Sequence, residues 1–176
     1  MVVTTGQQPG LFGGPMYTLL KALSALGLAD RLERETGVPT MPIFWAATDD
    51  ADFAEASWTA VADERGVQRL SIPRAGPEGV VMAEMPLGAV QDALASFADT
   101  AASAPHQGIL ASLRHAYRDG QTVGGAYVEF LRDLLEPLGI AVLDAWHPAV
   151  RAAARPTLVE ALRRAAVIDE ALSMRT

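Results

Sequence analysis

The spacing of apolar positions changes repeatedly along the chain, and each change marks a different predicted element. Val2 to Thr5 is an unbroken β-branched run that stops at Gly6, the pattern of a strand buried on both faces. After Pro15 the apolar residues Leu19, Leu20, Leu23, Leu26 and Leu28 follow a helical rhythm to about Glu35. Pro15 suits the first turn of that helix and Gly37 its stop. Met41 to Ala47, with Phe44 and Trp45, reads as a second strand that ends in the acidic turn Thr48-Asp49-Asp50-Ala51-Asp52. A helix joining two such strands is the right-handed parallel crossover.

The middle is less regular. Trp58 to Ala62, Arg69 to Pro73 and Val80 to Met85 read as short strands, punctuated by Gly66 and Gly76-Pro77. Helical spacing returns over about Leu87 to Thr100, Gly108 to Tyr117 and Thr122 to Leu135, the last with Tyr127, Phe130, Leu131 and Leu134 on one face. Pro137-Leu138-Gly139 breaks it. Ile140 to Leu143 reads as a further buried strand before Asp144, and Pro148 opens a final helix to Arg175. Its stripe of Leu158, Leu162, Ala165, Ala166, Ile168 and Leu172 either docks on its own domain or lacks its usual partner. The predicted class is α/β, Rossmann-like, with a largely parallel sheet flanked by helices and a small β-rich insert at about 58–105. Residues 1–150 form the expected catalytic-type domain and 151–176 the start of a long helix.

Composition narrows the function. At 176 residues the chain is sized for one domain, and 50% hydrophobic with 20% charged residues fits a folded core. A net charge of −7 disfavours nucleic-acid backbones and anionic membranes as partners. With no cysteine, thiol chemistry has to act on a substrate thiol. No secretory leader and no membrane-length apolar run is evident, so a cytoplasmic location is expected.

The loop after the first strand carries the main chemical signal. Gly6, Gly10, Gly13 and Gly14 permit tight turns and close backbone approach, and the N–H groups of a loop entering a helix favour anions. Gln7 and Gln8 add amides that donate and accept. The loop is neither a dinucleotide fingerprint nor a Walker loop, since Lys21 lies later, inside the helix; a generic tight turn is an equal reading. Asp49, Asp50 and Asp52 end the second strand on the same predicted rim. There they either bind an amine, orient a sugar or hold Mg²⁺ through water, or they cap a helix. Asp144 faces the same choice, with capping before Pro148 the stronger claim. Tyr17 either reaches a ligand or packs on the loop. His106, His115 and His147 show no metal-ligand spacing, and only His147 falls near the site edge.

The string Thr5-Gly-Gln-Gln-Pro-Gly-Leu-Phe-Gly-Gly-Pro-Met-Tyr-Thr18, followed by Lys21 and Ser24, resembles the signature of the bacillithiol-synthesis cysteine-adding enzymes, the cysteine ligases. Pro42-Ile-Phe-Trp-Ala-Ala-Thr-Asp-Asp-Ala-Asp-Phe53 is similar to a second segment of that family, and Tyr117-Arg-Asp-Gly-Gln-Thr122 with Leu143-Asp144 to a third. The resemblance implies a Rossmann-like core and the addition of L-cysteine to glucosaminyl malate by amide formation. It implies ATP as activator, with or without Mg²⁺, at Gly6, Gln7, Gln8, Gly10, Gly13, Gly14, Tyr17 and Lys21. Asp49, Asp50 and Asp52 are then the catalytic residues, with no dedicated metal site.

Two departures stand against that pattern. Ala51 replaces a family histidine and Asp49 a family glutamate, which removes the best general base of the turn. Family members are also much longer, so the expectation is a fragment or a split subunit completed by a companion chain. The alternative expectation is a non-catalytic remnant or a nucleotide- or anion-binding module with the same fold.

Overall fold

The computed structural model describes residues 1–63, 66–100 and 107–174. His106 and part of the expected insert (64–65 and 101–105) lie outside them.

Strands β1 (Val2–Gln7), β2 (Met41–Ala46) and β5 (Ala141–Asp144) form a parallel sheet in the order β1-β2-β5. The register sets Gly6 opposite Trp45 and Gln7 opposite Ala46, and Ala46 opposite Asp144, so all three strands finish at one rim. The α/β class with a parallel sheet is therefore as expected. β1 is an edge strand, however, and Val2 is 59% exposed, so it is not buried on both faces.

Helix α1 (Met16–Thr36) crosses from β1 to β2, with Pro15 as its N-cap residue and Gly37 closing it in the left-handed conformation. Its contact face is not the leucine stripe. Thr18, Ala22, Ala25 and Ala29 are the buried positions, spaced to lie along one side. Leu19, Leu20, Leu23 and Leu28 are exposed, and only Leu26 packs partly against the core. Small side chains let the helix axis approach the sheet closely, and apolar residues on the outer face are compatible with that.

Helix α2 (Phe53–Ala56) leads into an antiparallel hairpin of β3 (Trp58–Asp63) and β4 (Gly66–Ser71). Val80 to Met85, expected as a strand, is a chain of turns. The N–H groups of Glu84 and Met85 both go to Val81 O, and Met82 and Met85 point together into the core. Helices α3 (Gln91–Thr100), α4 (Gln107–Ala116) and α5 (Val123–Leu135) follow.

Helix α5 joins two core clusters. Tyr127, Leu131 and Leu135 pack with Ala22, Phe44, Ile140 and Val142 on one face of the sheet. Phe130 and Val123 pack with Phe12, Met82, Leu113 and Tyr117 in a second cluster under the insert. The final segment is two helices, α6 (Pro148–Arg163) and α7 (Ala165–Ser173), interrupted at Arg164. Neither buries a residue, so the docked reading of their apolar stripe does not hold. No helix among the described residues is long and apolar enough to cross a membrane.

Candidate functional site

The ends of β1 and β2 bring the two candidate segments together. Ala47 N–H donates to Gln7 O at 3.1 Å, extending the ladder one step past the strands. Beyond it Gln8 Nε2 donates to Asp50 Oδ2. The second oxygen of Asp50 accepts the Asp52 N–H at 2.7 Å, and Asp52 in turn caps α2 by accepting from Glu55 N at 3.1 Å. For Asp52 the capping reading therefore applies. Asp49 is exposed and has no hydrogen-bond or ion-pair partner among the described residues.

The glycines serve the loop itself. Gly6 lies inside β1, where a Cβ would come within 2.5 Å of Trp45 O. A Cβ on Gly10 would meet Gly14 Cα at the same distance. Leu11–Gly13 forms a 3₁₀ turn in which Gly13 N–H reaches Gly10 O and Gly14 N–H reaches Leu11 O. Those two amides are spent on closing the loop, so the expected N–H cradle for an anion does not form at Gly13 and Gly14. Phe12 sits between Leu11 and Gly13 at φ 55, a conformation that disfavours a side-chain-bearing residue. Packing holds it there: its ring stands edge-on to Phe97 and Tyr117 at 5.3 and 5.0 Å.

What faces outward from the loop is polar and cationic. Lys21 Nζ donates to Gln7 Oε1 at 2.7 Å and lies 5.2 Å from the Tyr17 ring centre. Gln7 Nε2 donates to the Tyr17 hydroxyl at 3.3 Å. No carboxylate pairs with Lys21 among the described residues. Its charge is available to an anion.

A third segment fixes the acidic turn from behind. Met82 N–H donates to Asp50 O at 2.7 Å and Ala83 N–H to Thr48 O at 2.9 Å, while Gly124 N–H donates to Met82 O at 2.7 Å. The buried Thr48 hydroxyl donates to Asp144 Oδ1, which also accepts Trp146 N–H at 3.0 Å. Asp144 thus braces the turn, and the cap of α6 is His147, whose Nδ1 accepts from Ala149 N at 3.2 Å. His115 bonds Glu129 beside Arg118. Burial pushes the phenols of Tyr117 and Tyr127 well above the usual tyrosine range, so both stay protonated at neutral pH.

Two concavities share the candidate residues. One of about 370 Å³ takes Gly14, Tyr17, Glu55 and Trp58. The other, about 780 Å³, takes Trp45, Asp49, Trp146 and one side of α6 from Pro148 to Leu162, mostly apolar. Thr48, Glu84, Trp146, Arg151 and Arg155 were not read from the sequence as site residues. Thr48 and Trp146 follow predicted strand ends and were legible by position; Glu84, which accepts from Trp146 Nε1 at 3.2 Å, arrives through the insert and carries no local signal.

The family described as bacillithiol biosynthesis BshC, N-terminal Rossmann-like domain, matches residues 1–176. A protein of Solibacter usitatus named "Putative cysteine ligase BshC" is 37% identical over 180 residues, covering 99% of this chain and 33% of its own. Similarly named proteins of Koribacter versatilis and Natranaerobius thermophilus are 32% and 28% identical, over 97% and 92% of this chain. The chain spans about a third of the length of these curated relatives.

Proposed function

The chain belongs to the BshC family of bacillithiol biosynthesis, as its N-terminal Rossmann-like domain, and on that premise we propose that it forms part of a cytoplasmic ligase joining L-cysteine to glucosaminyl malate. The carrying observation is the Gln8–Asp50 contact, which ties the glycine loop to the acidic turn at one rim of a parallel sheet. Ligands of open α/β sheets bind at that rim.

The bond formed is an amide between the acceptor amine and the cysteine carboxyl. Bound ATP would supply the activation by making the carboxyl oxygen part of a phosphate-type leaving group, so that the amine nitrogen would displace it and give up a proton as the amide forms. Lys21, which pairs with no carboxylate among the described residues, would hold that anion together with Gln7 and Tyr17. Mg²⁺, if the nucleotide carries it, would be held mainly through the phosphates. Asp50, oriented by Gln8, and Asp49, unpaired, are the carboxylates that hold the amine and take its proton. A companion chain supplying the remainder of the family's length completes the enzyme.

The test combines the chain, alone and with a polypeptide covering the rest of a relative, with glucosaminyl malate, cysteine and ATP. Mass spectrometry reads the thiol product. Gln8→Ala and Asp50→Ala are each expected to lower the rate by about a hundredfold, the scale of a lost acid–base or positioning group. Unchanged turnover in both variants overturns the assignment. A chain that binds ATP but yields no product in either arm is the non-catalytic anion-binding module instead.

A further inference from the structure

The parallel sheet has two faces, and only one is well covered. Burial alternates along β2: Pro42, Phe44 and Ala46 are buried, the last two against α1 and α5, while Met41 is exposed and Ile43 and Trp45 are half-buried. The register sets Val2 beside Met41 and Thr4 beside Ile43 on that second face, with Ala141 and Leu143 on the other flank of Ile43 and Trp45. Val2 and Met41 are 59% and 54% exposed. Parallel sheets are ordinarily covered on both faces, because their crossover helices pack there. A middle strand with one apolar face open belongs to an incomplete layer.

The sheet is open along β1 as well. Met41 N–H donates to Met1 O at 3.0 Å and Ala47 N–H to Gln7 O at 3.1 Å, so the odd-numbered residues of β1 face β2. By the alternation of a strand, Val2, Thr4 and Gly6 turn their main-chain N–H and C=O groups outward. Among the described residues no strand pairs with that side. In a doubly wound sheet the first strand is interior, with the second half of the fold beyond it. Handedness joins the two vacancies. The steps from β1 to β2 to β5 run one way with α1 and α5 on one face. A right-handed crossover from β5 to a strand beyond β1 runs the other way, and so passes over the opposite face. That is the open face, and α6 departs on its side, lining one cavity with Trp45 and burying no residue.

We propose that the outer edge of β1 and the open face form one docking surface for the polypeptide that supplies the rest of the family's length, of which this chain spans about a third. One parallel strand of that polypeptide pairs with Val2, Thr4 and Gly6, and an apolar helix covers Val2, Met41 and Ile43. A second copy joined edge to edge through β1, about an axis normal to the sheet, leaves both open faces uncovered. A strand with its helix satisfies edge and face together. The proposal rests on the reading above for the identity of the companion and needs no turnover to be tested.

Sedimentation velocity and amide hydrogen exchange test it with the 176-residue chain and, as probe, the part of the Solibacter usitatus relative outside its matched region. A one-to-one complex is expected, with slowed exchange at the Thr4 and Gly6 N–H groups. Thr4→Pro removes one outward donor and leaves the bonds to β2 in place; it is expected to weaken the complex about tenfold. Met41→Lys sets an unpaired charge under the covering helix and is expected to weaken it at least as much. Its side chain is in solvent in the free chain, so this variant decides alone if Thr4→Pro lowers the far-ultraviolet signal. Val67→Lys, on the hairpin, leaves affinity unchanged. No complex, a complex indifferent to the variants, or no protection along β1 overturns the proposal. Self-association of the chain alone that is lost in the same variants also overturns it and assigns the surface to a second copy. Assay of the thiol product in the same mixtures separates the two readings. A variant-sensitive complex without product keeps the surface and removes the ligase; product made without any complex keeps the ligase and removes the surface.

Discussion

Gln8 donates its side-chain amide to Asp50 across 42 positions of sequence, and this contact locks the exit of β1 to the exit of β2. Both oxygens of Asp50 are then occupied, one by the amide and one by the Asp52 N–H. The carboxylate is aimed, not free to rotate. Gln8→Ala is expected to lower stability by about 1 kcal/mol, the net value of a hydrogen bond to a partly exposed charged group. Gln8→Glu sets two carboxylates together and is expected to lower it further. Urea unfolding of the three proteins measures both, with the order wild type, Ala, Glu.

Glycine positions in the two helices answer to different constraints. A Cβ on Gly124 would stand 2.8 Å from Ala83 N and 2.9 Å from Met82 C, both main-chain atoms that cannot swing aside. Gly124→Ala is expected to cost about 1–3 kcal/mol, as overpacking does. Around Gly27, inside α1, a Cβ meets nothing within 4 Å. Gly27→Ala is expected to add about 0.5–1 kcal/mol through helix propensity. Thermal melts of the pair should move in opposite directions.

Two buried hydroxyl groups are expected to behave oppositely as well. Thr48 Oγ1 bridges Asp144 and the Trp146 N–H, so Thr48→Val leaves a carboxylate short of a donor and is expected to cost about 1–3 kcal/mol. Tyr127 OH is buried beside Thr18 without a hydrogen bond of good geometry to it. Tyr127→Phe is expected to be neutral or mildly stabilising, since removing an unpaired buried hydroxyl relieves its desolvation. Denaturant midpoints of the two variants decide the matter.

Stability should fail on the alkaline side. Burial raises the Tyr117 and Tyr127 pKa values above the ordinary 10.0, so the folded chain keeps protons that the unfolded chain releases. The contribution is complete below about pH 10 and declines as pH rises past it, because the unfolded state alone gains by ionising. Phenolate absorbance should therefore show Tyr117 and Tyr127 titrating together with loss of the far-ultraviolet signal, not before it.

Much of this was legible in the sequence, and the misses share a cause. Parallel strands at Val2–Gln7, Met41–Ala46 and Ala141–Asp144 announced themselves through apolar runs ending in Gly or Asp, and those endings placed the rim correctly. The face of α1 did not: leucine spacing points to the outer side, while the helix docks through Ala22, Ala25 and Ala29, which carry little hydrophobic signal. Ala25→Leu is accordingly expected to cost more than Leu20→Ala, despite being the more hydrophobic change. Val80 to Met85 failed for a related reason. Its backbone partners are Asp50, Thr48 and Gly124, all remote in sequence, and a local pattern cannot announce them. Asp144 looked like a cap and became a brace because Thr48 sits 96 residues away.

Beside the side-chain ties at Asp50 and Thr48, the acidic turn is gripped through peptide groups: Met82 and Ala83 hold it, and Gly124 holds Met82, by main-chain bonds. Neither kind of tie involves the side chains at positions 49 and 51. Histidine or alanine at position 51 can be exchanged, and glutamate or aspartate at 49, with the carbonyls of Thr48 and Asp50 still pinned where they are. Evolution can thus retune the reactivity of this rim, or silence it, one substitution at a time, without rebuilding the scaffold beneath.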